Sequence, residues 1–426
     1  MKKGLKINNK IIKKISGPVS FYLFRPNSNK ETINMKNSGI NPPIIILFGD
    51  THLSYENMCE NCICESIEKC CMKIQNKNFI NLLDNLASKI KIDFNVEQGF
   101  DLEFLKENLK NYENKGPMPD LILTIKDCLF KNTDCLAKNI KWNYVDVRFG
   151  EKKFNYDYES TIIEIFDYFS AIESELVEEP EINNIKDKYN YILDSISMIN
   201  NYYNTTIQKF RYINLLNNII ETLSTKNFLN IFEISNRNKS LIYKQIRKLN
   251  EPYNNIDYWK NILNKYTKYI FKERLNDYNT DIDNFIKVLK IHLKFCKIIF
   301  DNPTKKDIKE YILTNYYTEL NTYITILDND YEENTIDVIK IAITSIFLDI
   351  YYITRALKTP KSEKNSVLSI GYFGNNHIKQ LIYLLTNVLS IYKIDESIDN
   401  SIETNRCLDF SNGYIDLDKI IEENIA

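Results

Sequence analysis

The sequence predicts an α/β protein, a mostly parallel sheet core with crossover helices that carries a large all-helical insertion. Three observations predict it. Short strand patterns occur only in the first third of the chain and near its end, and helical patterns separate them. From about residue 155 to 359 strand patterns stop, while apolar residues keep recurring at spacings of three and four. Glycine and proline number only 10 each in 426 residues, so few breakers interrupt long helices. Strand, helix, strand order requires crossover connections and therefore parallel neighbours. The expected organisation is 1–154 for the first part of the α/β core, 155–359 for the helical insertion, and 360–426 for the rest of the core with a C-terminal tail.

In chain order, Val19–Phe24 is expected to form a hairpin with Ile44–Phe48 across the polar loop Arg25–Asn41. Ile44–Phe48 is a continuous apolar run after Pro42 and Pro43, as in a strand buried on both faces. Ile80, Leu83, Ala87 and Ile90 mark a helix, and Ile90, Ile92, Phe94 and Val96 then alternate as in a half-buried strand. Trp142–Arg148 alternates too and sets Tyr144, Asp146 and Arg148 on one face. The insertion shows stripes such as Ile162, Ile165, Phe169, Ile172 and Leu176, and Val338, Ile341, Ser345 and Leu348. Val367–Phe373 returns the chain to the core, and the acidic tail from Asp395 holds a strand, Leu408–Phe410, and a short helix.

Composition excludes several classes. Hydrophobic residues at 44% and charged residues at 26% are those of a folded globular chain. Lys and Arg number 55 against 57 Asp and Glu, and the lysines are scattered, which excludes a nucleic-acid partner. The longest apolar stretch, Ile341–Leu357, is broken by Thr344, Ser345, Asp349 and Thr354, so no membrane span is expected. The basic N-terminus lacks the apolar core of a secretory signal. The richness in Asn, Ile, Lys and Tyr reads as the codon bias of an AT-rich genome and suits a giant DNA virus. The expected location is cytoplasmic, with a viral factory or a virion as open alternatives. Nine cysteines, an odd number, fit a reducing compartment better than a disulfide framework. Cys59, Cys62, Cys64, Cys70 and Cys71 crowd thirteen residues. A structural zinc at Cys59 and Cys62, completed by Cys128 and Cys135, stands beside disulfides and free thiols as an open alternative.

The chemistry concentrates on two of three histidines. Gly49-Asp50-Thr51-His52 and Gly374-Asn375-Asn376-His377 both read G-x-x-H, and both follow a predicted strand. Ligands bind at the carboxyl ends of strands in an open α/β sheet, so the two loops are expected to share a crevice. Gly49, Gly374 and Asn376 are the ligand-binding positions of these loops. Glu97 closes the strand between them, on the face opposite Val96. His52, Glu97 and His377 are therefore the candidate catalytic residues and metal ligands, since two imidazoles and a carboxylate hold a hydrolytic metal with one open position. Asp50 and Arg148 are candidates to orient substrate, or to form a salt bridge. His292 lies on the apolar stripe Phe285, Leu289, Cys296 and Ile299 and is expected to be a core histidine.

The strand ending Leu-Phe-Gly-Asp-Thr-His-Leu, the glutamate of Ile-Asp-Phe-Asn-Val-Glu, and the late Gly-Asn-Asn-His-Ile-Lys-Gln-Leu resemble the TraB/TIKI, ChaN and erythromycin-esterase superfamily. The resemblance covers about Val19–Glu97 and Val367–Ile394. It implies hydrolase chemistry: TIKI members are metal-dependent peptidases, erythromycin esterases open a lactone, and ChaN-like members bind haem. On this expectation a divalent metal, Mn, Co or Zn, or a histidine base activates water against a small-molecule, ester or peptide substrate. The alternative is a non-catalytic structural or interaction protein, such as a virion component, whose insertion offers its Tyr-rich and Asn-rich faces to a protein partner.

Overall fold

The computed structural model describes residues 3–51, 56–64, 70–99, 115–147, 206–227, 229–234, 236–300, 319, 335–358, 366–402 and 405–425. His52, Arg148 and the stripe from Ile162 to Leu176 lie outside the described residues. The chain divides into two compact units. One comprises Met1–Lys153, Leu241–Ile262 and Phe347–Ala426, the other Phe154–Ser240 and Leu263–Ile346.

The first unit is α/β. Its strands are β1 (Gly4–Ile7), β2 (Lys10–Ile12), β3 (Lys14–Ser16), β4 (Ser20–Pro26), β5 (Ile44–Asp50), β6 (Cys71–Lys73), β7 (Ile92–Gly99), β8 (Lys141–Asp146), β9 (Leu368–Gly374), β10 (Tyr392–Asp399), β11 (Cys407–Asp409) and β12 (Tyr414–Asp416). A six-stranded sheet has the order β10-β4-β5-β9-β7-β8. β5, β9, β7 and β8 are parallel, while β4 and β10 are antiparallel additions at one edge. Two three-stranded sheets, β12-β1-β2 and β11-β3-β6, stand beside it.

One face of the large sheet is apolar. Phe21, Leu23, Ile46, Phe48, Phe94, Val96 and Ile370 share a core with α2 (Lys77–Ala87) and α3 (Pro117–Leu129). Burial of Phe79, Ile80, Leu82, Leu83 and Leu86 along one side of α2 is what the three-and-four spacing encodes, and Asn76 caps its first turn by accepting from the Asn78 amide. The other face is polar in its middle. Alternation along the strands puts Asp93, Asn95 and Glu97 of β7, Asn143 of β8 and Ser369 of β9 there. The C-terminal part of helix α9, which spans Thr335–Ala356 in all, serves this face: Tyr352 meets Ser369 and Arg355 donates to Asn143.

β4 and β5 pair antiparallel as a hairpin, but the loop between them holds a short helix of its own, Lys30–Asn37. Only Thr32 and Met35 of that helix are buried, so it shows almost no apolar stripe. β10 also escapes the periodicity, because it is an edge strand with mostly exposed positions. Its charges serve the edge instead: Arg25 pairs with Asp395 at 2.7 Å and the Tyr22 hydroxyl donates to Asp399 at 2.7 Å.

In the second unit every element among the described residues is helical. Two of its helices, Thr206–Thr225 and Asn279–Phe300, pack on each other. Buried His292 lies in that contact, 3.0 Å from the Tyr212 hydroxyl and 3.4 Å from the Cys296 sulfur, and burial lowers its pKa to about 3. It is a neutral core histidine. Among the described residues no helix is long and apolar enough to cross a membrane.

The cysteines depart from the expectation drawn from their odd number. Eight pair as disulfides, Cys59–Cys407, Cys62–Cys71, Cys64–Cys70 and Cys128–Cys135. The ninth, Cys296, is buried and single, and it belongs to the other unit. Parity misleads here because one packing cysteine was counted with a framework it is not part of. Cys59 and Cys62, considered together as a zinc pair, belong to two different disulfides.

Candidate active site

Helix α10 (Asn375–Tyr383) begins directly at the carboxyl end of β9, so Gly374 is at once the last strand residue and the helix cap, and His377 falls in the first turn. Glu97 leaves the carboxyl end of β7, the neighbouring strand. Its Oε2 accepts from the Gly374 amide at 2.5 Å, which places a carboxylate at the positive end of the α10 dipole. Its Oε1 is 3.3 Å from His377 Nε2. On the opposite edge of the ring, His377 Nδ1 donates to Asp349 Oδ1 of α9 at 2.7 Å. The result is a carboxylate, imidazole, carboxylate row in which His377 is 4% and Asp349 0% exposed.

Burial by itself lowers the pKa of His377, but the charges of Glu97 and Asp349 and their hydrogen bonds outweigh it and raise the value to about 9. The sign of the linkage follows. A folded-state pKa above the unfolded value near 6.5 contributes stability that is fully present below about pH 6.5 and is lost as pH rises through about 9. With chelator present, the melting-temperature difference between wild type and His377→Gln is therefore expected to shrink between about pH 6.5 and 9. A difference that stays constant over that range, followed by differential scanning fluorimetry, is incompatible with the ion pairing.

The glycine of the first G-x-x-H has a defined reason. A Cβ on Gly49 lies 2.2 Å from the Ser20 hydroxyl and 2.6 Å from Asn375 Oδ1, so only glycine lets β4 and the first turn of α10 close on β5. Ser20 Oγ donates to Asn375 Oδ1 at 2.8 Å across this junction. Asn376, by contrast, is exposed.

Asp50 lies elsewhere. Alternation along β5 puts it on the side of Ile46 and Phe48, away from Glu97 and His377. Its Oδ1 accepts from Arg406 Nη1 at 2.5 Å and its Oδ2 from the Tyr372 hydroxyl at 3.1 Å. Arg406 Nη1 also donates to the Gly17 carbonyl and Nη2 to the Thr51 hydroxyl, both at 2.9 Å. The residue beside Arg406, Cys407, is disulfide-bonded to Cys59.

Of the candidate residues, the structure brings together Glu97 and His377 and adds Asp349. Asp349 had a signal in the sequence: it interrupts the apolar run Ile341–Leu357, and a lone carboxylate there needs a buried partner. Arg406 had none. Among the described residues no group of three or more His, Cys, Asp or Glu side chains is arranged to hold a metal. No protein-family model, curated protein or solved structure matches the chain.

Proposed function

We propose that the chain is a hydrolase of the peptidase or esterase type, in which His377 and Glu97, with His52, hold a divalent metal or activate water at the carboxyl end of the sheet. The observation that carries this reading is the His377 imidazole held between Asp349 and Glu97. The family we take it to resemble is the TraB/TIKI, ChaN and erythromycin-esterase superfamily, with residues from about 155 to 359 as its all-helical insertion.

The two donor atoms suit a metal. Two ligands about 2.1 Å from a tetrahedral ion stand roughly 3.4 Å apart, and His377 Nε2 and Glu97 Oε1 are 3.3 Å apart. Asp349 fills the role of the outer carboxylate that would fix the tautomer of a ligating histidine, so that Nε2, beside Glu97, would offer its lone pair to a bound ion. When bound, the ion supplies a water whose pKa falls to about 7. Without it, a pKa raised to about 9 keeps His377 protonated at neutral pH, so His377 donates a proton and Glu97 is the base.

Titration with Mn²⁺, Co²⁺ or Zn²⁺ is expected to raise the melting temperature of the wild type and to release a proton, because His377 must deprotonate to bind. His377→Gln and Glu97→Gln are expected to abolish the shift, and Asp349→Asn to weaken metal affinity by about 10–100-fold. A wild type that gains no stability from any of the three ions and cleaves no member of an ester and peptide panel overturns the proposal and leaves the non-catalytic interaction protein.

A further inference from the structure

The amino end of the same sheet gathers charge that the site above does not use. Lys91 precedes β7, Lys141 opens β8, Ser366 precedes β9, Arg355 lies in the last turn of α9 and Lys358 follows that helix. With Asp93 they line one shallow cleft, open to solvent at its mouth, whose enclosed part of about 10 Å³ has room for about one water. Four cationic side chains there face one carboxylate, in a chain whose formal charge is −2. Lys248 adds to the repulsion from outside the lining: burial first, then the charges of Lys141, Lys248 and Arg355, lower the pKa of Lys358 to about 8, against the opposing pull of Asp93.

Two of the lining residues carry a buried polar atom with no hydrogen-bond partner, Arg355 Nε and Asp93 Oδ1. Arg355 donates from Nη2 to Asn143 Oδ1, which holds the guanidinium in place. An unmet buried donor or acceptor costs about 1–3 kcal/mol, so a ligand that draws either side chain outward to meet it has a driving force. The dipole at the C-terminus of α9 accounts for cations at Arg355 and Lys358, but not for Lys91 and Lys141, which come from strand starts.

We propose that this cleft is a binding site for one phosphoryl group of a small phosphate-bearing molecule, the rest of the ligand remaining in solvent. The pairing of a basic cleft with an unmet carboxylate oxygen sets the specificity. Lys141, Lys358 and Arg355 receive the anionic oxygens, while Asp93 Oδ1, an acceptor only, receives the one hydrogen that a monoprotonated phosphate still carries. Sulfate carries no proton at neutral pH and leaves Asp93 facing a second anion. The site is independent of the His377 chemistry, and either reading stands if the other fails.

The test uses the full chain and isothermal titration calorimetry at about pH 6.5, where phosphate, with a second pKa near 6–7, holds a proton. Inorganic phosphate, AMP, sulfate and acetate are compared at matched ionic strength. Phosphate is expected to bind at least 10-fold more tightly than sulfate or acetate. AMP tighter than inorganic phosphate identifies a phosphomonoester as the ligand, and equal binding identifies the free ion. Lys358→Met and Lys141→Met are expected to weaken phosphate binding at least 10-fold while raising the melting temperature of the ligand-free protein, since each relieves repulsion. Asp93→Asn is expected to erase the preference over sulfate. Equal affinity for all four anions, or phosphate binding unchanged in both lysine variants, overturns the proposal.

Discussion

Arg406→Ala is expected to destabilise the protein by about 3–5 kcal/mol, the effect of removing one partner of a buried ion pair. Arg406 and Asp50 are each 1% exposed. Removing the guanidinium takes away the Asp50 counter-ion and, with it, the donors to the Gly17 carbonyl and the Thr51 hydroxyl. The loss belongs mostly to the stranded carboxylate, so Asp50→Asn in the Arg406→Ala background is expected to restore part of it. Urea denaturation of both single variants and the double variant gives the coupling directly. A loss under about 1 kcal/mol in Arg406→Ala, or strict additivity in the cycle, rules out the ion pair as a structural determinant.

This pair shows what a linear sequence conceals. β5, β7, β8 and β9 were legible because strands at the centre of a sheet must be apolar or alternate, and residues such as Ile44–Phe48 satisfy that whatever surrounds them. The G-N-N-H loop and Glu97 were legible because they sit at strand ends, where a change from apolar to functional residues is visible in a few positions. Asp349 was legible only as an anomaly, a carboxylate in an apolar helix. The Asp50–Arg406 pair spans 356 positions, and neither residue's neighbours indicate the other. Lys91, Lys141 and Lys358 read as scattered solubilising charge because only the register of β7, β8 and β9, together with the end of α9, brings them to one cleft. Patterns local in sequence report elements, whereas sites assembled from the ends of several elements appear only when the topology is known.

The two ends of the polar face are joined through that topology. Asp349, Tyr352 and Arg355 recur every three residues along α9 and so form one ridge. Asp349 holds His377, Tyr352 lies 3.2 Å from the Ser369 hydroxyl, and Arg355 reaches Asn143. Beneath them Asn95 donates to Ser369 and Asn143 donates to Asn95, each at 3.2 Å. Directional hydrogen bonds therefore join apolar contacts, such as Tyr352 edge-on to Phe373 of β9 with ring centroids 4.9 Å apart, in fixing the rotation of α9 over the sheet. A helix held by directional bonds presents Asp349 to His377 with little freedom, as an orienting carboxylate requires.

Loss of the Cys59–Cys407 disulfide is expected to lower stability by about 2–4 kcal/mol, more than loss of any other. Its partners are 348 residues apart, against 9 for Cys62–Cys71 and 6 for Cys64–Cys70. Chain entropy alone makes closing the longer loop worth about 3 kcal/mol more than closing one of nine residues. The bond also lies within a hydrogen-bonded junction: the Arg406 amide donates to the Asn57 carbonyl at 2.9 Å, the Cys59 amide to the Ser16 hydroxyl at 3.1 Å, and Cys407 pairs with Ser16 where β11 meets β3. Cutting it removes one of the ties beside Arg406 and leaves the β11–β3 pairing and the guanidinium bonds to hold it. Urea denaturation of the Cys59→Ser, Cys407→Ser double variant beside Cys64→Ser, Cys70→Ser separates the two loop lengths, and equal losses in both exclude the long-loop account. Thiol titration of the denatured, unreduced chain decides whether the bonds exist in solution. One reactive thiol, Cys296, is expected before reduction and nine after it. Nine before reduction means that Arg406 is placed by its hydrogen bonds, packing and ion pair without the disulfide, and the double variant then melts like the wild type.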